Sequence, residues 1–235
     1  MRYYLRRFLR VLIGFTTLFL LSAATLWLLV TSSPGWYAPR FHPEAAALGE
    51  TVEYRLTEEF QKIRPDNEPW TIRVREDQVN AWLVHRLPEW LAHDAEWTWP
   101  DNFGIPQLRF SVDGADCALP VAFESLTLVC RLTLVPSVTD SGVHLMIRDP
   151  GLGRFRLQLL GQERIHALLS AGSLPPELEA MNIRQILGSV EGDVICESTW
   201  NLLDGRPIDF DAVRFGDGYI DVQCRTGYVP RPAGG

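Results

Sequence analysis

The residues able to do acid–base, nucleophilic or metal chemistry are scattered along this chain rather than gathered at a recognisable spacing. Its five histidines are His42, His85, His93, His144 and His166. His85 and His93 flank Pro88 with no third ligand adjacent, too few donors for a tetrahedral metal site. Asp113, Asp116, Asp209, Asp211, Asp217 and Asp221 cluster near expected turns of a sheet. Aspartate favours such positions because it hydrogen-bonds its own backbone; calcium is the alternative, but no EF-hand spacing supports it. Gly188-Ser189-Val190-Glu191-Gly192 has its serine in the wrong place for a nucleophile elbow, and Gly151-Leu152-Gly153 lacks the third glycine of a dinucleotide loop. No catalytic residue, cofactor or metal is assigned. A hydrolase acting on envelope polymers needs two carboxylates across a cleft, which spacing alone does not show, so an enzyme is the minority reading.

The four cysteines are Cys117, Cys130, Cys196 and Cys224. None stands in a Cys-x-x-Cys pair, which argues against structural zinc or a thioredoxin-like redox couple. An even number in an oxidising compartment suggests two disulfides. The expected pairing is Cys117–Cys130 and Cys196–Cys224, each within one strand-rich block. Four buried thiols are the alternative.

That compartment follows from the N-terminus. Val11 to Val30 is an uncharged apolar run, preceded by Arg2, Arg6, Arg7 and Arg10. At about 1.5 Å per helical residue such a run spans roughly 30 Å, the thickness of a bilayer's hydrocarbon core. Cationic flanks stay in the cytoplasm, so the sequence predicts a single-pass signal anchor with the bulk of the chain extracytoplasmic. A signal peptide cut near Val30-Thr31-Ser32 competes, but its apolar core is normally only about 7–15 residues. The whole chain of 235 residues has 22 basic and 29 acidic side chains; without the four leading arginines the exterior carries a net −11. So acidic a domain repels phosphate backbones, which excludes nucleic acid as a partner.

Four of the eight tryptophans, Trp82, Trp90, Trp97 and Trp99, fall close together around Pro88 and Pro100. They read either as an apolar lip for an acyl chain or a partner, or as core beneath a long loop. Trp36, Tyr37 and Phe41 stand just past the membrane run, where an interfacial aromatic belt sits.

The elements that must position these groups follow from periodicity. The segments are a basic flank and anchor over 1–30, a linker over 31–42, an extracytoplasmic domain over 43–229 and a loose tail over 230–235. Leu48, Val52, Leu56, Phe60 and Ile63 predict a helix from Pro43 to Arg64 with one apolar stripe. A strand follows over 70–75, then a helix from Glu76 to Ala92 divided at Pro88. From Gln107 the period becomes two: Leu108-Phe110-Val112, Leu126 to Leu134, Val143-Leu145-Ile147 and Phe155-Leu157-Leu159 predict an antiparallel meander with one buried face. Helical segments separated by Pro175-Pro176 come next, then a strand over 194–202. Last is a hairpin, Val213–Phe215 and Tyr219–Cys224, whose Asp217-Gly218 turn signals type I′. The fold class is α+β, a curved antiparallel meander packed with helices.

Glu76-Asp77-Gln78-Val79-Asn80-Ala81-Trp82-Leu83, following a strand, resembles the opening of YpmS-like membrane-anchored envelope proteins. The meander-plus-helix layout is similar, more distantly, to TULIP-type lipid-binding domains. Valine at 79 departs from the usual leucine, and the cysteines are outside the pattern. The resemblance implies an apolar groove between helix and sheet and supplies no catalytic residue. The leading expectation is therefore an anchored extracytoplasmic binding or scaffold protein, with a lipid or other apolar ligand in that groove. An envelope assembly partner without a small-molecule ligand is the second, its Pro43–Arg64 helix packing on another membrane protein.

Overall fold

In the computed structural model, residues 2–39, 43–93, 99, 101–123, 126–139, 141–156, 193–202 and 204–227 are described. The apolar run builds helix α1 (Arg2–Thr31). Its stretch Arg7–Thr31, of mean hydropathy 2.0 and exposed on the molecule except at its C-terminal end, is long and apolar enough to cross a membrane. Three of its threonines are satisfied within the helix: Thr17, Thr25 and Thr31 each donate to the carbonyl four residues back, at 2.8–2.9 Å.

Helix α2 (Pro43–Gln61) begins at its proline as expected but ends earlier than Arg64. Ile63, predicted on the buried stripe, is consequently 91% exposed. Two arginines serve the end of this helix. Arg64 Nη1 donates to Glu59 O, and Arg206 reaches Lys62 O at 2.9 Å and Gln61 O at 3.3 Å. Strand β1 (Pro69–Arg75) runs directly into α3 (Glu76–His85), and Arg86 separates that helix from α4 (Leu87–His93), the division expected at Pro88.

The meander follows: β2 (Gln107–Ser111), β3 (Gly114–Phe123), β4 (Leu126–Thr139), β5 (Gly142–Leu152) and β6 (Phe155–Arg156), each antiparallel to the next. Val112 lies not in a strand but in the β2–β3 turn, 70% exposed. The predicted strand over 194–202 is two strands in different sheets. Strand β7 (Asp193–Cys196) joins β5, whereas β8 (Thr199–Asn201) pairs with β9 (Pro207–Gly216). Strand β10 (Tyr219–Thr226) then returns along β9 and accepts β1 on its other side. The described residues therefore form two antiparallel sheets where the periodicity suggested one: six strands in the order β2-β3-β4-β5-β6, with β7 on β5, and four in the order β1-β10-β9-β8. Register shifts interrupt β4–β5, β5–β7 and β9–β10, positions where an extra residue bends a strand.

The β9–β10 turn pairs Gly216 with Tyr219 as expected. Only Gly218 in it has positive φ (78°), so it is not type I′, which requires positive φ at both central residues. The turn is tied down on both sides: Gly218 N–H donates to Phe110 O and Gly218 O accepts from Glu76 N–H. Between the sheets, the Phe110 and Phe215 rings meet at 5.8 Å. The helical segments expected around Pro175-Pro176, and the tail over 230–235, lie outside the described residues.

The expected disulfides are absent among the described residues: Cys117, Cys130 and Cys224 are free thiols. Register explains the first pair. Cys117 faces Leu132 and Cys130 faces Leu119, so the two cysteines share a face but sit diagonally. Diagonal neighbours are about 7–8 Å apart, beyond the usual reach of a disulfide. Cys224 lies in the four-stranded sheet and Cys196, whose side chain is outside the described set, in the six-stranded one. Burial pushes the Cys117, Cys130 and Cys224 thiols up to about 11.

Candidate functional site

The strand–helix junction sets the site's geometry. Gln78 accepts from Arg75 N–H and so caps α3, while Asp77 pairs with the Arg75 guanidinium. One turn on, Asn80 lies beside the outer edge of β2. It donates to Leu108 O at 2.8 Å and accepts from Leu108 N–H at 2.7 Å, as a neighbouring strand would. Glu76 accepts from Phe110 N–H at 2.7 Å. Helix α3 is thereby fixed against the meander, and α2 crosses it closely at Gly49, where a Cβ would stand 3.1 Å from Ala81 O.

Between these two helices and the two sheets lies a cavity of about 550 Å³. Val52 and Leu56 come from α2, Val79 and Trp82 from α3. Leu108, Phe110, Ala115, Leu134, Pro136 and Leu145 come from the meander, and Val74, Phe215 and Ile220 from the other sheet. Among the described residues Glu53 is the only charged one around it, and its carboxylate is engaged: it accepts from Trp82 Nε1 at 2.7 Å and from Arg86 Nη2 at 2.9 Å. Most of these apolar side chains are only half-buried, because they look into a space rather than onto one another. A volume of this size falls within the roughly 300–1,000 Å³ of small-molecule sites.

A second depression, of about 900 Å³, adjoins the cavity and shares Glu53, Leu56 and Trp82 with it. Trp90 and Trp200 flank it, 59% and 57% exposed. Trp82 and Trp90 have ring centroids 6.4 Å apart, and Phe60 sits edge-on to both Trp70 and Trp200. Arg86 spans the middle, bonded to Glu53 and to Glu89. Hydrogen bonds from Arg86 hold the Glu53 carboxyl below its usual range, and those from Glu53 raise Arg86 in turn.

Of the expected tryptophan lip, Trp82 and Trp90 come together here. Trp99 does not: it packs edge-on to Phe103 and donates to Phe103 O, away from the groove. Trp97 lies outside the described residues. Trp200, Glu53, Arg86 and Glu89 are the residues that sequence reasoning missed. Trp82, Arg86 and Glu89 at spacings of four and three were the available sign of a shared helical face, but α2 and β8 come from remote parts of the chain.

The other candidate chemistry is structural. Among the described residues no three His, Cys, Asp or Glu side chains gather as a metal site. Asp116, Asp211 and Asp221 pair with Arg109, Arg225 and Arg73 across strands, and Asp209 accepts from Thr199. A further depression of about 570 Å³ beside Trp36 is lined by Glu76, Asp77, Asn80 and Gln107, all spent on the bonds given above or, for Gln107, on Ala38 N–H. Ser141 and His144 are 2.8 Å apart on a hairpin turn that borders none of these spaces. The chain matches no family model, and no curated protein or solved structure is significantly similar to it.

Proposed function

We propose that this chain is a membrane-anchored, extracytoplasmic binding protein that holds the acyl chain of a lipid or related amphiphile between its helices and sheets. The observation that carries this reading is the 550 Å³ cavity with thirteen apolar residues among its fourteen. Water gains few hydrogen bonds in such a space, whereas a hydrocarbon chain removes apolar area from water at about 25 cal/mol per Å². The exposed apolar helix supports the anchor, and its cationic start with the acidic exterior supports the orientation. The groove between helix and sheet is also what the TULIP-type resemblance implies.

The test uses the full chain purified in a non-ionic amphipol, with organic extraction and mass spectrometry of what stays bound. A stoichiometric acyl-containing ligand is expected. Leu145→Trp fills the cavity from β5 and should lower ligand occupancy at least about tenfold, or ~1.4 kcal/mol, with an unchanged circular dichroism spectrum. A protein that emerges ligand-free, or that keeps the same ligand after Leu145→Trp, overturns the proposal.

A further inference from the structure

We infer that the mouth of this cavity selects amphiphiles by the charge of their head, taking cationic heads and turning away anionic ones. The inference rests on the acyl-chain reading above and goes beyond it. The cavity itself offers a head group nothing, so the head must lie in the adjoining depression between Trp90 and Trp200.

A phosphate or sulfate there meets a poor partner. Among the described residues Arg86 is the one guanidinium lining the depression, and each of its nitrogens already donates to a carboxylate: Nε and Nη2 to Glu53, Nη1 to Glu89. Glu50 adds its negative field to the same guanidinium. With Glu53 and Glu89 in the lining and Glu50 close by, the described charged groups set three carboxylates against Arg86, and with the His93 imidazole neutral the mouth carries net negative charge. An anionic head would have to break Arg86 away from carboxylates that then remain beside it.

A cationic head meets the reverse. Glu89 is exposed enough to turn toward it, with 66% of its side chain in solvent. Aromatic rings carry a negative face that attracts ammonium groups within about 6 Å. Trp90 and Trp200 border the depression with more than half of each residue exposed, costly for groups of that size, which leaves them accessible to a ligand.

The experiment titrates the full chain, in non-ionic amphipol, with three amphiphiles sharing a dodecyl chain: dodecyltrimethylammonium, dodecyl maltoside and dodecyl phosphate. Isothermal calorimetry below their micelle concentrations reads affinity, with the Leu145→Trp variant as background. The expected order is trimethylammonium, then maltoside, then phosphate, with at least about fivefold between the first and last at low salt, the scale of an exposed ion pair. High salt should compress that gap, since these charges are solvent-accessible. Glu89→Gln should narrow it and Glu89→Lys should reverse it, each with an unchanged circular dichroism spectrum. Equal affinities for all three, lost in Leu145→Trp, would overturn head selection while leaving the acyl-chain reading intact. Heats that are the same in wild type and Leu145→Trp would remove both.

Discussion

Six consecutive side chains at the start of α3 show how fully a short motif can be absorbed by architecture. Glu76 and Asn80 bond the edge of β2, Asp77 and Gln78 secure the Arg75 junction, Val79 lines the cavity and Ala81 admits Gly49. The acidic start was legible from the helix dipole alone. Asn80 was not, because its partner lies 28 residues away on a strand whose position only the fold supplies. Its two bonds to Leu108 are part-buried, so Asn80→Ala leaves an edge donor and acceptor unmet. The expected cost is about 1–3 kcal/mol, seen as a lower urea midpoint with unchanged slope. An unchanged midpoint would mean that water satisfies this edge equally well. The same edge bonding keeps β2 from offering free N–H groups to another sheet.

At the scale of elements, periodicity located α2, β1, the division between α3 and α4, and both strands of the last hairpin. It failed where a boundary depends on distant partners. Ile63 continues the apolar spacing of α2, yet the helix stops at Gln61, and Arg206 from the β8–β9 connection serves its last carbonyls. Residues 194–202 read as one strand because local sequence does not say which sheet accepts them. A less visible junction is the end of α1. Gly153 in the β5–β6 turn has φ 55°, and a Cβ there would lie 2.3 Å from Val30 O and 2.6 Å from Leu29 O. Arg154 N–H donates to Leu29 O at 2.8 Å and Arg154 Nε to Ser33 O at 3.1 Å. Helix α1 is thereby clamped to the meander by its own end carbonyls. Gly153→Ala adds about 1–2 kcal/mol of backbone cost before the clash is counted. It should release the clamp, seen as faster proteolysis within residues 32–39 while the Asn80-dependent urea midpoint moves less. Unchanged proteolysis would show that the linker holds without it.

For the molecule as a whole, hydrophobic periodicity correctly indicated an α+β domain following an apolar N-terminal helix, but the cysteine count did not tell how its thiols are used. Four cysteines in strand-rich blocks suggest bridges, whereas the register of β3 on β4 sets Cys117 and Cys130 on a diagonal. With folded values near 11 against an ordinary 9.0, these buried thiols favour the native state fully below pH 9.0. Above that, the unfolded chain ionises first and the contribution is lost as pH rises toward 11. Melting temperature should therefore fall between about pH 9 and 11, and fall less steeply in a Cys117→Ala/Cys130→Ala protein. Identical slopes would show that other groups govern alkaline unfolding. The pairing of β1 with β10 has a consequence in time rather than in space. Strand β10 is an inner strand of its sheet, formed from residues 219–226, and it holds the strand that leads into α3. While the chain is being made, α3 can already meet the edge of β2, but the second sheet, which adds Val74, Phe215 and Ile220 to the cavity, has no inner strand until residues 219–226 arrive. The cavity's wall on that side is thus completed late, and a chain cut short before residue 219 keeps the meander but lacks the strand that holds β1 in place.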